Sequence, residues 1–246
     1  EREKILNHYH NFYVRNNCKI IVSGDIKDQL RPSLEQLMSG FTREAVVRPK
    51  VYPGNHESPG WLFYDSKNNY QSNIRMGCET IKRDNPDFVD LYILLTILGG
   101  YFGSRLMRNL REEKGFTYNI YAGMEAMKTA SYYYITSDVG NDNLEQCIIE
   151  IMKEIKLLKD ERIGEKELRM VKNYLQGRIM SLLDGPFRVS KFLKQLLIFD
   201  LDPTYFDHYL QRILHITPRE LCRTANQYLD EEKMWKVVVG NKKLNI

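Results

Sequence analysis

Several kinds of chemistry are absent from this chain of 246 residues. No two of its five histidines stand four apart, the spacing that would put two imidazoles on one helix face around a zinc ion. His8 and His10 are two apart and diverge on a helix, while His208 and His215 have no cysteine or carboxylate set beside them to complete a site. Surface or packing roles are therefore expected for the histidines, and no metal ligand is assigned. There is no CxxC: Cys18, Cys78, Cys147 and Cys222 are at least 60 residues apart, which excludes a local zinc knuckle and predicts four reduced, buried thiols. GxSxG, GxGxxG and the Walker spacing are missing too, so neither an activated serine nor a phosphate cradle is expected. The longest apolar run, FVDLYILLTILGG, is interrupted by Asp90 and is too short to cross a bilayer, so no membrane partner is expected.

What remains is ordinary globular material. Hydrophobic residues make up 43% and charged residues 28%, and a net charge of +4 is spread along the chain rather than gathered into a basic patch. A nucleic-acid partner is not expected. The opening EREKILNHY lies in the middle of a helical pattern, as expected of an excised fragment. The compartment stays open, with the cytoplasm the favoured expectation.

Periodicity predicts a helix over 2–13, a strand over CKIIVSGDI, and a helix over KDQLRPSLEQLMSG broken near Pro32 and stopped by Gly40. The stretch REAVVRPKVYPGNHESPG, with three prolines and two glycines, reads as a linker. Strands follow at WLFYDS and QSNIRMGCETI. Asn85-Pro86 then opens a helix that is apolar nearly all round and should be buried. YNIYAGME and SYYYITSDV are tyrosine-rich strands. Amphipathic helices carry Leu144, Cys147, Ile148, Ile151, Met152, Ile155 and Leu158; then Leu168, Val171, Leu175 and Ile179; then Val189, Phe192, Leu193, Leu196 and Leu197. Asp202-Pro203 starts a further helix, Thr217-Pro218-Arg219-Glu220 starts the last as a capping box, and KVVVGN closes as a strand. Strands first and helices later predict an α+β fold, a mixed or antiparallel sheet backed by helices.

One internal echo stands out. At an offset of 216 residues the closing helix–strand–glycine unit lines up with the opening one: Leu221 on Ile5, Tyr228 on Phe12, Val238 on Val22 and Gly240 on Gly24. If the echo is a repeat, residues 1–45 are the tail of a preceding copy and a lead-in, and 46–246 form the next copy.

The stretch LGGYFGSRLMRNLREEKGFTY, Leu98 to Tyr118, carries the most specific chemistry. Leu106, Leu110 and Met107 give its helix an inner face, and Arg105, Arg108 and Arg111 recur every third residue on another. Gly115 ends the helix and Lys114 suits its carbonyl end. Arg111 in the last turn and Tyr118 at the start of the following strand can then point into one cavity, where a cation and a phenol suit a carbonyl oxygen gaining negative charge. A surface arginine and a sheet tyrosine satisfy the same spacing.

Through Leu98, Gly99, Gly100, Ser104, Arg105, Leu106, Leu110, Arg111, Glu112, Gly115 and Tyr118, this stretch resembles the second-half signature of the pitrilysin/insulinase-type zinc metallopeptidases, which include mitochondrial processing peptidase. The resemblance extends back to YVRNNCKIIVSGDI and forward through IGEKELRMVKNYLQGRI to ITPRELCRTANQYLDEEKMWKVVVGN. It implies one of two α+β halves closing around a peptide, with zinc and its activating glutamate in the other, N-terminal half and no cofactor here. It implies further that helix 86–98 takes the place of the zinc helix, and that Arg111 and Tyr118 reach the scissile carbonyl, leaving Arg105 and Arg108 structural. The zinc half would be a partner in cis or as a separate subunit. Some relatives are non-catalytic partners or structural core subunits, the alternative that the resemblance leaves open.

Overall fold

The computed structural model describes residues 1–41, 58–66 and 69–240, and these fall into two compact units, Glu1–Asn55 with Met180–Leu201, and His56–Ile179 with Asp202–Ile246. The expected linker and the 45/46 boundary lie almost wholly outside the described residues.

The larger unit is built on five strands: β1 (Trp61–Asp65), β2 (Gln71–Glu79), β3 (Thr117–Ala126), β4 (Ser131–Gly140) and β5 (Trp235–Gly240). Their order is β1-β5-β2-β4-β3, with β1 parallel to β5 and every other pair antiparallel. The sheet is thus mixed and the fold α+β. Alternation sets its inner face. In β4, Ser131, Tyr133, Ile135, Ser137 and Val139 are buried, while Tyr132, Tyr134, Thr136 and Asp138 turn the other way. Ile74 and Met76 of β2 and Val238 of β5 join the same core.

Helices supply the rest of that core. The expected stripe of α4 (Leu144–Asp160) is buried at every position except half-buried Met152, and all four stripe residues of α5 (Glu165–Leu182) are buried. The apolar helix begins at Phe88 rather than Pro86, because Asn85 first closes a turn by accepting the Asp87 N–H on its side chain. This helix, α3 (Phe88–Leu95), buries seven of its eight residues and runs on as a π-helical turn over Thr96–Gly100. The close of that turn needs glycine: a Cβ on Gly99 would stand 2.6 Å from the Ala122 nitrogen on β3. In this unit also lie a helix at Tyr205–His215 and the capped helix Pro218–Tyr228, where Glu220 N–H donates to Thr217 Oγ1 and Glu220 Oε2 accepts from Thr217 N–H.

In the smaller unit, α1 (Arg2–Phe12) forms as expected, and α2 (Leu30–Met38) holds Pro32 in its first turn, where the missing N–H costs nothing. Pro32 therefore does not break the helix. The remaining helices in chain order are α6 (Pro186–Phe199), here, and the two named above, α7 (Tyr205–His215) and α8 (Pro218–Tyr228), in the larger unit. Of the expected stripe on α6 only Leu196 is buried; Val189 and Phe192 are half-buried, and Leu193 and Leu197 are exposed. The thiols also differ from expectation: all four are free, but only Cys147 is buried and Cys18 is exposed.

CKIIVSGDI forms no strand. The echo nonetheless continues into structure: α1 and α8, both eleven residues, stand 216 apart, as do the 3-10 turns Arg15–Asn17 and Glu231–Lys233. The segment matching β5 is 19–24. Whereas β5 is paired on both sides, by β1 and β2, residues 19–24 have no paired strand among the described residues, and an isolated strand is not stable in water. Burial differs accordingly. Ile5 is 70% exposed and Val22 40%, against 0% for Leu221 and Val238. Ile20, Val22, Ile26, Leu30, Leu34 and Met38 line an open apolar groove of about 440 Å³.

Candidate functional site

The Leu98–Tyr118 stretch is a turn, a helix and the start of a strand. Ser104 N–H donates to the Tyr101 carbonyl, and Arg108 N–H then bonds back to the Ser104 carbonyl in ordinary α fashion. From Met107 to Glu113 the helix widens into a π-helix, in which Lys114 N–H reaches the carbonyl of Asn109, five residues back, rather than that of Leu110. Phe116 N–H takes the Leu110 carbonyl, and Gly115 makes the turn in the left-handed region at φ 65°. Leu106, Met107 and Leu110 are buried, as their spacing predicts.

The three arginines part company. Arg105 grips Glu167 of α5 through two parallel bonds, Nε to Oε1 at 2.9 Å and Nη2 to Oε2 at 2.8 Å, so it fixes the helix in place. Arg108 is largely exposed and 3.9 Å from Glu113. Arg111 is half-buried with its guanidinium 4.8 Å above the Phe102 ring, and it forms no ion pair among the described residues.

Tyr118 is 85% exposed, on a bulge. Thr117 pairs with Val139 and Ile120 with Ser137, so Tyr118 and Asn119 together face the single residue Asp138. Thr117 Oγ1, accepting from Asn119 N–H and the Ser137 hydroxyl, holds the bulge shut. The extra residue restores Ile120 to the core and leaves Tyr118 and Asn119 both outside. Arg111 and Tyr118 thus stand on the two arms of one helix–turn–strand unit. No contact between them completes the pair.

A further cluster has no counterpart in the motif. Asn109, 8% exposed, donates its amide to Glu154 Oε1 at 2.8 Å and Glu150 Oε2 at 3.0 Å on α4. Lys114 closes on Glu150 Oε1 at 2.8 Å. Hydrogen bonds from Lys114 and Asn109 hold the Glu150 carboxyl below its ordinary pKa. The sequence signal was slight: an asparagine beside the inward leucine, and two glutamates four apart next to buried isoleucines.

Helix α3 does not fit a zinc ion. Its single ionisable side chain other than tyrosine is Asp90, 1% exposed and held by Arg212 at 2.5 and 2.6 Å; the rest of the buried helix is apolar. Arg212 also reaches Glu220 at 2.9 Å, so the polar residue of this helix is spent on tying α3 to α7 and α8. Among the described residues there is no group of three or more His, Cys, Asp or Glu that could hold a metal.

The larger unit is thus a mixed sheet backed by an apolar helix, ahead of a helix–turn–strand that carries Arg111 and Tyr118. The family described as "Peptidase M16 inactive domain" matches residues 1–175, and the chain belongs to that family, the pitrilysin-type zinc peptidases, as its inactive C-terminal half. It is similar to the uncharacterized zinc protease YmxG of Bacillus subtilis, 24% identical over 183 residues, 74% of this chain and 44% of that protein. It is also similar to the probable inactive metalloprotease YmfF of the same organism, 18% identical over 92% of this chain and 52% of that one. Its fold is shared with the crystal structure of a protease from Helicobacter pylori, with a TM-score of 0.86 and 20% identity over 97% of this chain and 59% of that chain. The chain spans about half the length of the curated relatives it matches.

Proposed function

We propose that this chain is the non-zinc half of a peptide-cleaving metalloenzyme, closing the peptide chamber and presenting Arg111 and Tyr118 to the scissile carbonyl. The observation that carries the reading is how the three arginines are spent. Arg105 is committed to a carboxylate, whereas Arg111 is braced on an aromatic face with its donors uncommitted among the described residues, and across the Gly115 turn a bulge carries an exposed tyrosine. Donors fixed ahead of the reaction stabilise developing oxyanion charge at no reorganisation cost. Zinc, and the water it activates, belong in this reading to the N-terminal half, in cis or as a separate subunit.

Residues 1–45 are, in the same reading, the closing unit of that preceding repeat, and 46–246 are the C-terminal domain. The support is the match of a helix and a 3-10 turn at 216 residues and the bare apolar surface on the first copy where the second is buried.

The test is cleavage of a quenched fluorescent peptide by the complete two-half protein carrying Tyr118→Phe. A drop in kcat of about a hundredfold or more, as loss of one oxyanion donor costs, with little change in KM, is the expected result; unchanged kcat removes Tyr118 from the site. A second reading, a non-catalytic partner or structural core subunit, is favoured by the similarity to a probable inactive metalloprotease. It predicts no chelator-sensitive cleavage of any peptide and no HxxEH in the upstream half.

A further inference from the structure

The π-helix over Met107–Glu113 needs an explanation of its own. Such turns make up well under about 1% of residues, survive mostly as single turns, and are frequent at functional sites. Something must hold the wider winding against reversion to the α form. Here the defining bond runs from Lys114 N–H to the Asn109 carbonyl at 3.1 Å. The side chains of those same two residues meet on one carboxylate, Lys114 on Glu150 Oε1 and Asn109 on Glu150 Oε2. Glu154 takes a second bond from the Asn109 amide, and the pair of carboxylates dictates its orientation, since a flipped amide would set its oxygen against both. The Leu110 carbonyl, which an α register would offer to Lys114, is already bonded to Phe116 N–H at 2.9 Å.

We propose that Asn109 and Glu150 are positioning residues that clamp this π-helical register and thereby set Arg111 over Phe102. Arg111 lies between the two clamped residues. Reversion to α winding would turn it by roughly one residue's rotation, about 100°, away from the ring that braces it. The clamp is geometric; its bearing on catalysis rests on the proposed function, and the experiment separates the two.

The complete two-half protein, labelled at arginine, reports the Arg111 side-chain proton shifts, which the Phe102 ring current moves upfield; Phe102→Leu assigns the effect and sets its zero. Glu150→Leu and Asn109→Leu are expected to abolish the upfield shift as Phe102→Leu does, while Glu150→Gln, which can still accept from Asn109, retains most of it. Lys114→Met, at the more exposed end of the clamp, gives a partial loss and remains informative if the core variants unfold. A folded Glu150→Leu or Lys114→Met protein with the Arg111 shift unaltered overturns the clamp. In peptide cleavage, Asn109→Leu should lower kcat by about tenfold to a hundredfold, as misplacing a reacting contact costs, with KM little changed. It should add nothing on an Arg111→Ala background; additive losses overturn action through Arg111. Displacement of Arg111 with cleavage unaffected upholds the clamp and removes Arg111 from the reaction.

Discussion

Replacing either of two adjacent glycines by alanine should have quite different consequences. A Cβ on Gly99 would stand 2.6 Å from the Ala122 nitrogen and 2.7 Å from its Cβ, while on Gly100 the nearest atoms, on Thr96, lie at 3.3 Å. Ordinary contact begins near 3.4 Å, so Gly99→Ala forces the end of α3 and strand β3 apart by about 0.8 Å against backbone. Gly100→Ala needs a tenth of an ångström from a side chain. Both substitutions remove the entropic cost of a helical glycine, roughly 1 kcal/mol, so their difference isolates the packing. Overpacking of this kind costs about 1–3 kcal/mol, and urea unfolding should place Gly99→Ala below Gly100→Ala by that much at unchanged m-value. Because backbone is one of the two obstacles, Ala122→Gly should restore only part of the loss. Equal stabilities for the two variants, within about 0.5 kcal/mol, would refute the close approach of α3 to β3.

Other substitutions probe other parts. Arg212→Met leaves the Asp90 carboxylate, 1% exposed, without its partner and should cost about 3–5 kcal/mol in thermal or urea unfolding; adding Asp90→Leu should recover most of that. Glu220, held by the Thr217 hydroxyl and Arg212, has its pKa lowered from 4.5 to about 2, so its stabilising contribution is complete above pH 4.5 and is lost as pH falls toward 2. Glu220→Gln should flatten the acid side of the stability profile in that window, and an unchanged slope would contradict the assignment. Val238→Ala should cost about 2 kcal/mol, whereas Val22→Ala should fall within about 0.5 kcal/mol in this chain and become costly once the upstream half is present; equal costs in both contexts would count against a shared repeat.

Where local pattern and burial agree, the sequence was enough. The α4 and α5 stripes, the Thr217 capping box, Gly115 as helix stop and both tyrosine-rich strands are written in spacings that only one packing satisfies. Failures came where a segment depends on neighbours. CKIIVSGDI has strand composition but no sheet to enter among the described residues, and the α6 stripe has two of its five members still in water. Pro32 was misplaced because its penalty depends on which turn it occupies, and boundaries are set by bonds rather than by composition. At the candidate site, the family motif singled out Arg111 and Tyr118 for the proposed role. The bulge and the π winding were not, since each inserts one residue into a regular period and leaves no pattern of its own.

Cleavage of a fluorescent peptide by the complete two-half protein, with and without chelator, comparing wild type with Arg111→Ala, goes to the heart of the proposed function. Chelator-sensitive cleavage whose kcat falls about a hundredfold in the variant, as removal of an oxyanion donor costs, is the result expected if this half supplies the carbonyl ligand. Chelator-sensitive cleavage indifferent to Arg111→Ala would contradict it and leave this domain as a wall of the chamber.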